Sequence, residues 1–138
     1  MQIKFKKILI GFDNSPSAKI AIEKAIDIAN RFDSELFAVY VSRVATDPDV
    51  QENREYVADI AQKRNRKIEF IVKSGRAYKE INTYEREIGA DLIVLGTHGK
   101  QGWQPFWIGS NAFRVVSTSN CPVITFQETV TKSDLMDI

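Results

Sequence analysis

Five short apolar runs alternate with longer stretches in which apolar residues recur at helical spacing. Lys7-Ile8-Leu9-Ile10-Gly11-Phe12 and Leu36-Phe37-Ala38-Val39-Tyr40-Val41 are nearly continuous. Such runs suit strands buried on both faces of a parallel sheet. Asp91-Leu92-Ile93-Val94-Leu95-Gly96 gives the strongest strand prediction, and Pro122-Val123-Ile124-Thr125-Phe126 gives the last. Ile68-Glu69-Phe70-Ile71-Val72 carries a polar interruption and reads as an edge strand.

The intervening segments predict four helices. After Ser15-Pro16, the residues Ala18, Ile22, Ala25, Ile26 and Ala29 fall on one helical face. Ser15 suits the cap and Pro16 the first turn. A thinner stripe of Val50, Val57, Ile60 and Ala61 follows Asp47-Pro48, and a third helix runs from Tyr78 through Ile81, Tyr84 and Ile88 to Gly89. The fourth starts at Gly109-Ser110, passes Ala112, Val115 and Val116, and stops before Asn120-Cys121-Pro122. Alternation of this kind predicts an α/β fold, a parallel sheet with helices on both faces, because each crossover needs a helix to return the chain.

Composition narrows the functional classes. The 138 residues suit one domain, expected to span 1–138 with its core at about 6–126 and a flexible tail at 127–138. Nineteen Lys and Arg stand against 18 Asp and Glu, a net charge of +1 that argues against nucleic acid or membrane binding by bulk charge. Cys121 and His98 are each the only residue of their type, which excludes an internal disulfide and zinc clusters of Cys and His. Apolar runs fall well short of the roughly 20 residues of a membrane helix, and a cytoplasmic location is the expectation. Cys121 reads as an inert structural thiol. Lys63-Arg64-Asn65-Arg66-Lys67 reads as a solvated run complementing a helix C-terminus.

Open parallel sheets bind ligands beyond the carboxyl ends of their strands, near the point where strand order reverses. That rule singles out Gly11-Phe12-Asp13-Asn14-Ser15 and the long connection from Gly96 to Ser110, which holds four of the seven glycines. Glycine lets backbone amides approach a phosphate, and Gly109-Ser110 opens a helix whose free amides favour an anion. Lys100 and His98 are the cations of that connection. Neither Gly-x-x-x-x-Gly-Lys-Ser/Thr nor Gly-x-Gly-x-x-Gly occurs, so P-loop and dinucleotide-dehydrogenase sites are demoted.

Gly96-x2-Gly99-x9-Gly109-Ser110 matches the Gly-x2-Gly-x9-Gly-Ser/Thr motif, and the chain resembles the ATP-binding branch of the universal stress protein family. Ile8 to Ser15, Tyr40-Val41, Ala90 to Gly99 and Cys121-Pro122-Val123 resemble further blocks of that family, in order, across residues 6–126. The resemblance implies an open five-stranded sheet in the order 3-2-1-4-5, adenine-nucleotide alpha-hydrolase-like, with ATP across strands one and four. Carried over, Asp13 and Val41 border adenine and ribose with Gly11 and Leu95 beside them, and Gly96 and His98 meet the ribose and phosphates. Gly99, Gly109, Ser110 and Asn111 hold the phosphates, and Mg or Mn sits on phosphate oxygens. The mid-loop Trp103-Gln104-Pro105-Phe106-Trp107 departs from the family pattern, its tryptophans serving as lid, core or partner surface.

The leading expectation is an ATP-binding regulatory protein of the stress-response type, in which Mg-ATP orders the Gly96–Ser110 loop and tunes partner choice. A nucleotide-free homodimeric interaction module and a slow ATPase are the alternatives. Val123 to Phe126 is predicted to form an edge, and an exposed edge invites pairing with a second copy. The family resemblance implies the same homodimer.

Overall fold

The computed structural model describes residues 3–97 and 109–128. The chain runs β1 (Lys7–Gly11), α1 (Pro16–Phe32), β2 (Glu35–Ser42), α2 (Asp49–Lys63), β3 (Ile68–Ser74), α3 (Ala77–Ile88), β4 (Leu92–Gly96), α4 (Ser110–Thr118) and β5 (Val123–Phe126). The strands form one sheet in the order β3-β2-β1-β4-β5, every pair parallel. The α/β fold and its strand order are as expected. The predicted tail falls largely at 129–138, outside the described residues.

Continuous apolar strands are explained by two cores. Ile8, Ile10, Leu92 and Val94 face α1 and α2, whereas Leu9, Ile93 and Leu95 face α3 and α4. Alternate side chains therefore point to opposite faces and both faces are covered, which leaves no solvent side for polar residues. Only β3 and β5, at the two edges, show intermediate exposure along most of their length.

Strand and helix ends differ from the sequence prediction where a side chain claims a backbone group. Asp91 lies outside β4: its Oδ2 accepts from the Lys6 and Lys7 amides at 2.9 and 3.0 Å, tying the entry of β4 to that of β1. Pro122 precedes β5, lacking an N–H to donate, yet its carbonyl accepts from Ile93 N at 3.0 Å. Ser15 caps α1 as predicted, its Oγ accepting from Ala18 N at 3.2 Å, with Pro16 in the first turn. Gly89 ends α3 with φ of 66°, the left-handed conformation that glycine adopts without penalty. Asp47 anchors the start of α2, accepting from Asp49 N at 2.8 Å and from the Tyr40 hydroxyl at 2.5 Å. Burial, then that hydrogen bond to Asp47, holds the Tyr40 phenol well above its ordinary range.

The basic run after α2 is corrected from a solvated dipole complement to an interhelical clamp. Arg64 donates to Glu23 at 2.7 Å and to Asp27 at 2.6 Å, both on α1. Arg66 donates to Asn30 Oδ1 at 3.2 Å and to the Ser34 carbonyl at 2.5 Å. These contacts use the guanidinium forks of Arg64 and Arg66 to tie α2 to α1 and the β2 entry.

Candidate functional site

Beyond the carboxyl ends of β1, β2 and β4, where strand order reverses, lies a cavity of about 630 Å3. Gly11 and Leu95 from the two central strands form part of its floor, and Val41 of β2 lies at one side. Asp13 enters from the loop after β1, and Gly96 from the end of β4. Gly109, Ser110 and Asn111 enter from the start of α4. Eight of the ten residues singled out from the sequence thus share one lining. His98 and Gly99 lie outside the described residues, as do Trp103 and Trp107.

Local geometry fits this lining for an anion at one end and a flat, partly apolar group at the other. Gly109 is the N-cap of α4 in an extended conformation, with no side-chain hydrogen bond across the first turn. Its own N–H donates to the Thr97 carbonyl, which holds the start of α4 against the end of β4. The first intrahelical acceptance is by the Gly109 carbonyl from Phe113 N at 2.9 Å, leaving the preceding amides without helical partners. Those amides and the helix dipole favour a phosphate. Val39, Val41, Ala77 and Ile81 supply apolar wall.

Among the described residues Asp13 is the one carboxylate of the lining. Its Oδ1 accepts from Ser15 N at 3.0 Å, closing a turn through Asn14, whose φ is 62°. Asn14 Nδ2 in turn donates to Glu52 on α2 at 2.7 Å. The loop is thereby fixed from two sides before any ligand arrives. Among the described residues no group of three or more His, Cys, Asp or Glu is arranged to hold a metal. Among the described residues the lining therefore offers a single carboxylate, already engaged with the Ser15 amide.

Gly96 has a structural reason that motif reading missed. A Cβ there would lie 2.6 Å from the Ser17 carbonyl carbon and 2.7 Å from Ala18 N, so glycine is required by the close approach of α1. Arg43, one turn of chain beyond Val41, also lines the cavity and was missed because cations were sought only in the Gly96–Ser110 connection. Cys121 lies elsewhere, half-buried behind α3. Burial, with Glu85 and Asp91 adding to it, pushes its thiol up to about 11, which leaves almost no thiolate at neutral pH. Ser117, Thr118 and Ser119 bond to nearby carbonyls and act as helix-end residues.

Comparison with known proteins bears on the family and the fold. The family model described as Universal stress protein family matches residues 4–127. The universal stress protein MJ0531 of Methanocaldococcus jannaschii is 32% identical over 141 aligned positions, covering 90% of this chain and 83% of the relative. A universal stress protein solved in complex with cAMP superposes with a TM-score of 0.74 at 19% identity, covering 91% of this chain and 99% of that one. A universal stress protein family protein from Arabidopsis thaliana with AMP bound gives 0.71 at 17% identity, covering 91% and 93%. At those identities the two structures establish a shared fold.

Proposed function

This chain belongs to the universal stress protein family, and we propose that it is an ATP-binding regulatory member, one domain in its cytoplasmic setting. In this reading Asp13 and Val41 border adenine and ribose, with Gly11 and Leu95 beneath them. Gly96 and His98 meet the ribose and phosphates. Gly99, Gly109, Ser110 and Asn111 hold the phosphate chain through backbone amides and one hydroxyl. Mg or Mn arrives on the phosphates and supplies positive charge to them. The observation that carries the reading is the convergence of eight sequence-chosen residues on one cavity at an uncapped helix N-terminus. The cAMP and AMP of the two structural neighbours support an adenine nucleotide as the ligand class.

Binding, not turnover, is the proposed role. Nucleotide orders the Gly96–Ser110 connection and so changes the surface offered to partners. A ligand that binds only the native state adds about 2.7 kcal/mol at a hundredfold excess over its Kd. For a domain of this size that is a rise of roughly 8–10 °C in Tm. Scanning calorimetry of nucleotide-stripped protein with Mg-ATP checks it, and an unchanged Tm at millimolar nucleotide sinks the proposal.

We further propose a homodimer through Val123–Phe126. β5 is an edge of the sheet, and Phe113 and Val116 on the neighbouring α4 are exposed at 57% and 47%. Along β5 and the residue before it, the Pro122 and Phe126 carbonyls accept from the Ile93 and Thr97 amides on the β4 side, so Val123 and Thr125 direct their backbone groups outward. Thr125→Pro removes one outward N–H without touching the inner ladder. Light scattering at micromolar concentration is expected to report dimer for the parent and monomer for the variant. A variant that stays dimeric with unchanged affinity would move the interface elsewhere.

A further inference from the structure

A second cavity, of about 570 Å3, adjoins the first and shares Arg43 and Asn111 with it. Its other lining residues are Gly75, Arg76, Tyr78 and Arg114. Three guanidinium groups therefore border one cavity, and among the described residues its lining holds no carboxylate. None of the three takes part in an ion pair formed among the described residues. Unpaired like charges repel, and the fold gathers them here at a cost unless an anion neutralises them.

The sheet register brings them together. Ser42 pairs with Ser74, so Arg43 and Gly75-Arg76 leave adjacent strands at the same level. Gly75 N donates to the Ser42 carbonyl at 2.9 Å, fixing the two strand exits against each other. Gly75 has φ of 135°, and a Cβ there would lie 2.9 Å from Glu80 Oε1, so glycine alone suits this turn. Arg76 then serves as N-cap of α3 without a side-chain cap bond, as Gly109 does for α4. Arg114 lies one turn along α4 from Asn111, and its guanidinium carbon sits 5.0 Å from the Tyr78 ring centroid. This cation–π contact holds the guanidinium carbon over the ring at the cavity's border.

We infer that this second cavity is a phosphate-chain subsite continuing from the nucleotide cavity, and that Arg43, Arg76 and Arg114 select adenine nucleotides with two or three phosphates over those with one. The inference rests on the adenine-nucleotide reading for its ligand, but its chemistry, guanidinium forks around oxyanions, stands independently of adenine. A chain held at the α4 N-terminus by Ser110 and Asn111 meets Arg43 and then Arg114 as it lengthens. Positive charge beyond that of His98 and Lys100 in the Gly96–Ser110 connection is thus supplied by three other segments.

The test is calorimetric titration of the full chain with ATP, ADP, AMP and inorganic tripolyphosphate, alongside Arg76→Gln/Arg114→Gln and Arg76→Lys/Arg114→Lys. In the parent, ATP is expected to bind at least tenfold more tightly than AMP. The glutamine pair should lose that preference with AMP affinity unchanged within twofold, and the lysine pair, which keeps charge but not the fork, should fall between. Thermal unfolding of both variants verifies folding. Equal ATP and AMP affinities in the parent, or a preference that survives in the glutamine pair, would overturn the inference. If neither nucleotide binds, the adenine reading fails by itself. Tripolyphosphate then decides: binding lost in the glutamine pair upholds the arginine subsite, and no binding ends it.

Discussion

Gly96→Ala is expected to lower the unfolding free energy by about 3 kcal/mol, near the upper end of the usual cost of forcing atoms into a packed site. The added methyl meets the Ser17 carbonyl carbon and the Ala18 amide nitrogen, which are backbone atoms of the first turn of α1 and cannot rotate aside. Relief requires α1 to move away from β4. Ser15, Ala18 and Gly96 all line the cavity beyond β1 and β4, so that movement also deforms the candidate site. A loss of nucleotide affinity of about tenfold should accompany the destabilisation, corresponding to roughly 1.4 kcal/mol. Gly11→Ala is the control. Its methyl meets Leu95 Cδ2 and Ile81 Cδ1, the ends of flexible side chains, and should cost about a third as much. Urea unfolding of both variants checks the pair. Equal costs would mean that α1 does not bear on Gly96 as described.

Ile93→Ala should be the more damaging change to stability alone, at about 3–4 kcal/mol, or roughly 10–15 °C in Tm. Ile93 is fully buried at the middle of the sheet, between Leu9 of β1 and Val123 of β5. Its side chain belongs to the core under α3 and α4. Truncation leaves a void that two helices and three strands enclose, with little freedom to collapse. Val44→Ala, at an exposed position after β2, should change stability by less than about 0.5 kcal/mol. If the two variants melt together, the two-core description is wrong.

The fold was legible because burial on both faces writes itself into the chain. β1, β2 and β4 read as unbroken apolar runs since each side chain enters one of two cores. The ends were less legible. Asp91 looks like the first residue of a strand, but its carboxylate is spent on the Lys6 and Lys7 amides of a strand far away in sequence. The site was legible where one segment holds several of its residues, as at Gly96 and at Gly109-Ser110-Asn111. Arg43, Arg76 and Arg114 were not, because each is an isolated cation in its own segment and only strand register and helix packing bring them together. Arg64 is the converse case. Its neighbours suggested a basic patch, whereas its partners Glu23 and Asp27 lie on another helix. Glycine at 96 was assigned to a ligand's approach, and a helix's approach turns out to demand it as well.

The strand pairing at the centre of the sheet also sets an order of assembly. Lys7 and Asp91 are bonded across 84 positions, whereas Phe5 and Ser34, which tie β1 to the entry of β2, are 29 apart. Closing the longer loop from an open chain costs about 1 kcal/mol more in chain entropy. β1, α1, β2, α2 and β3 can gather by short steps, while β4 reaches β1 only by closing that longer loop. Both cavities need α4, which follows β4, so the ligand pockets are completed only with that closure. A ligand of these cavities can therefore stabilise the finished protein but has nothing to hold in its first half. On a ribosome, the emerging chain passes through β3 with one flank of β1 still unpaired.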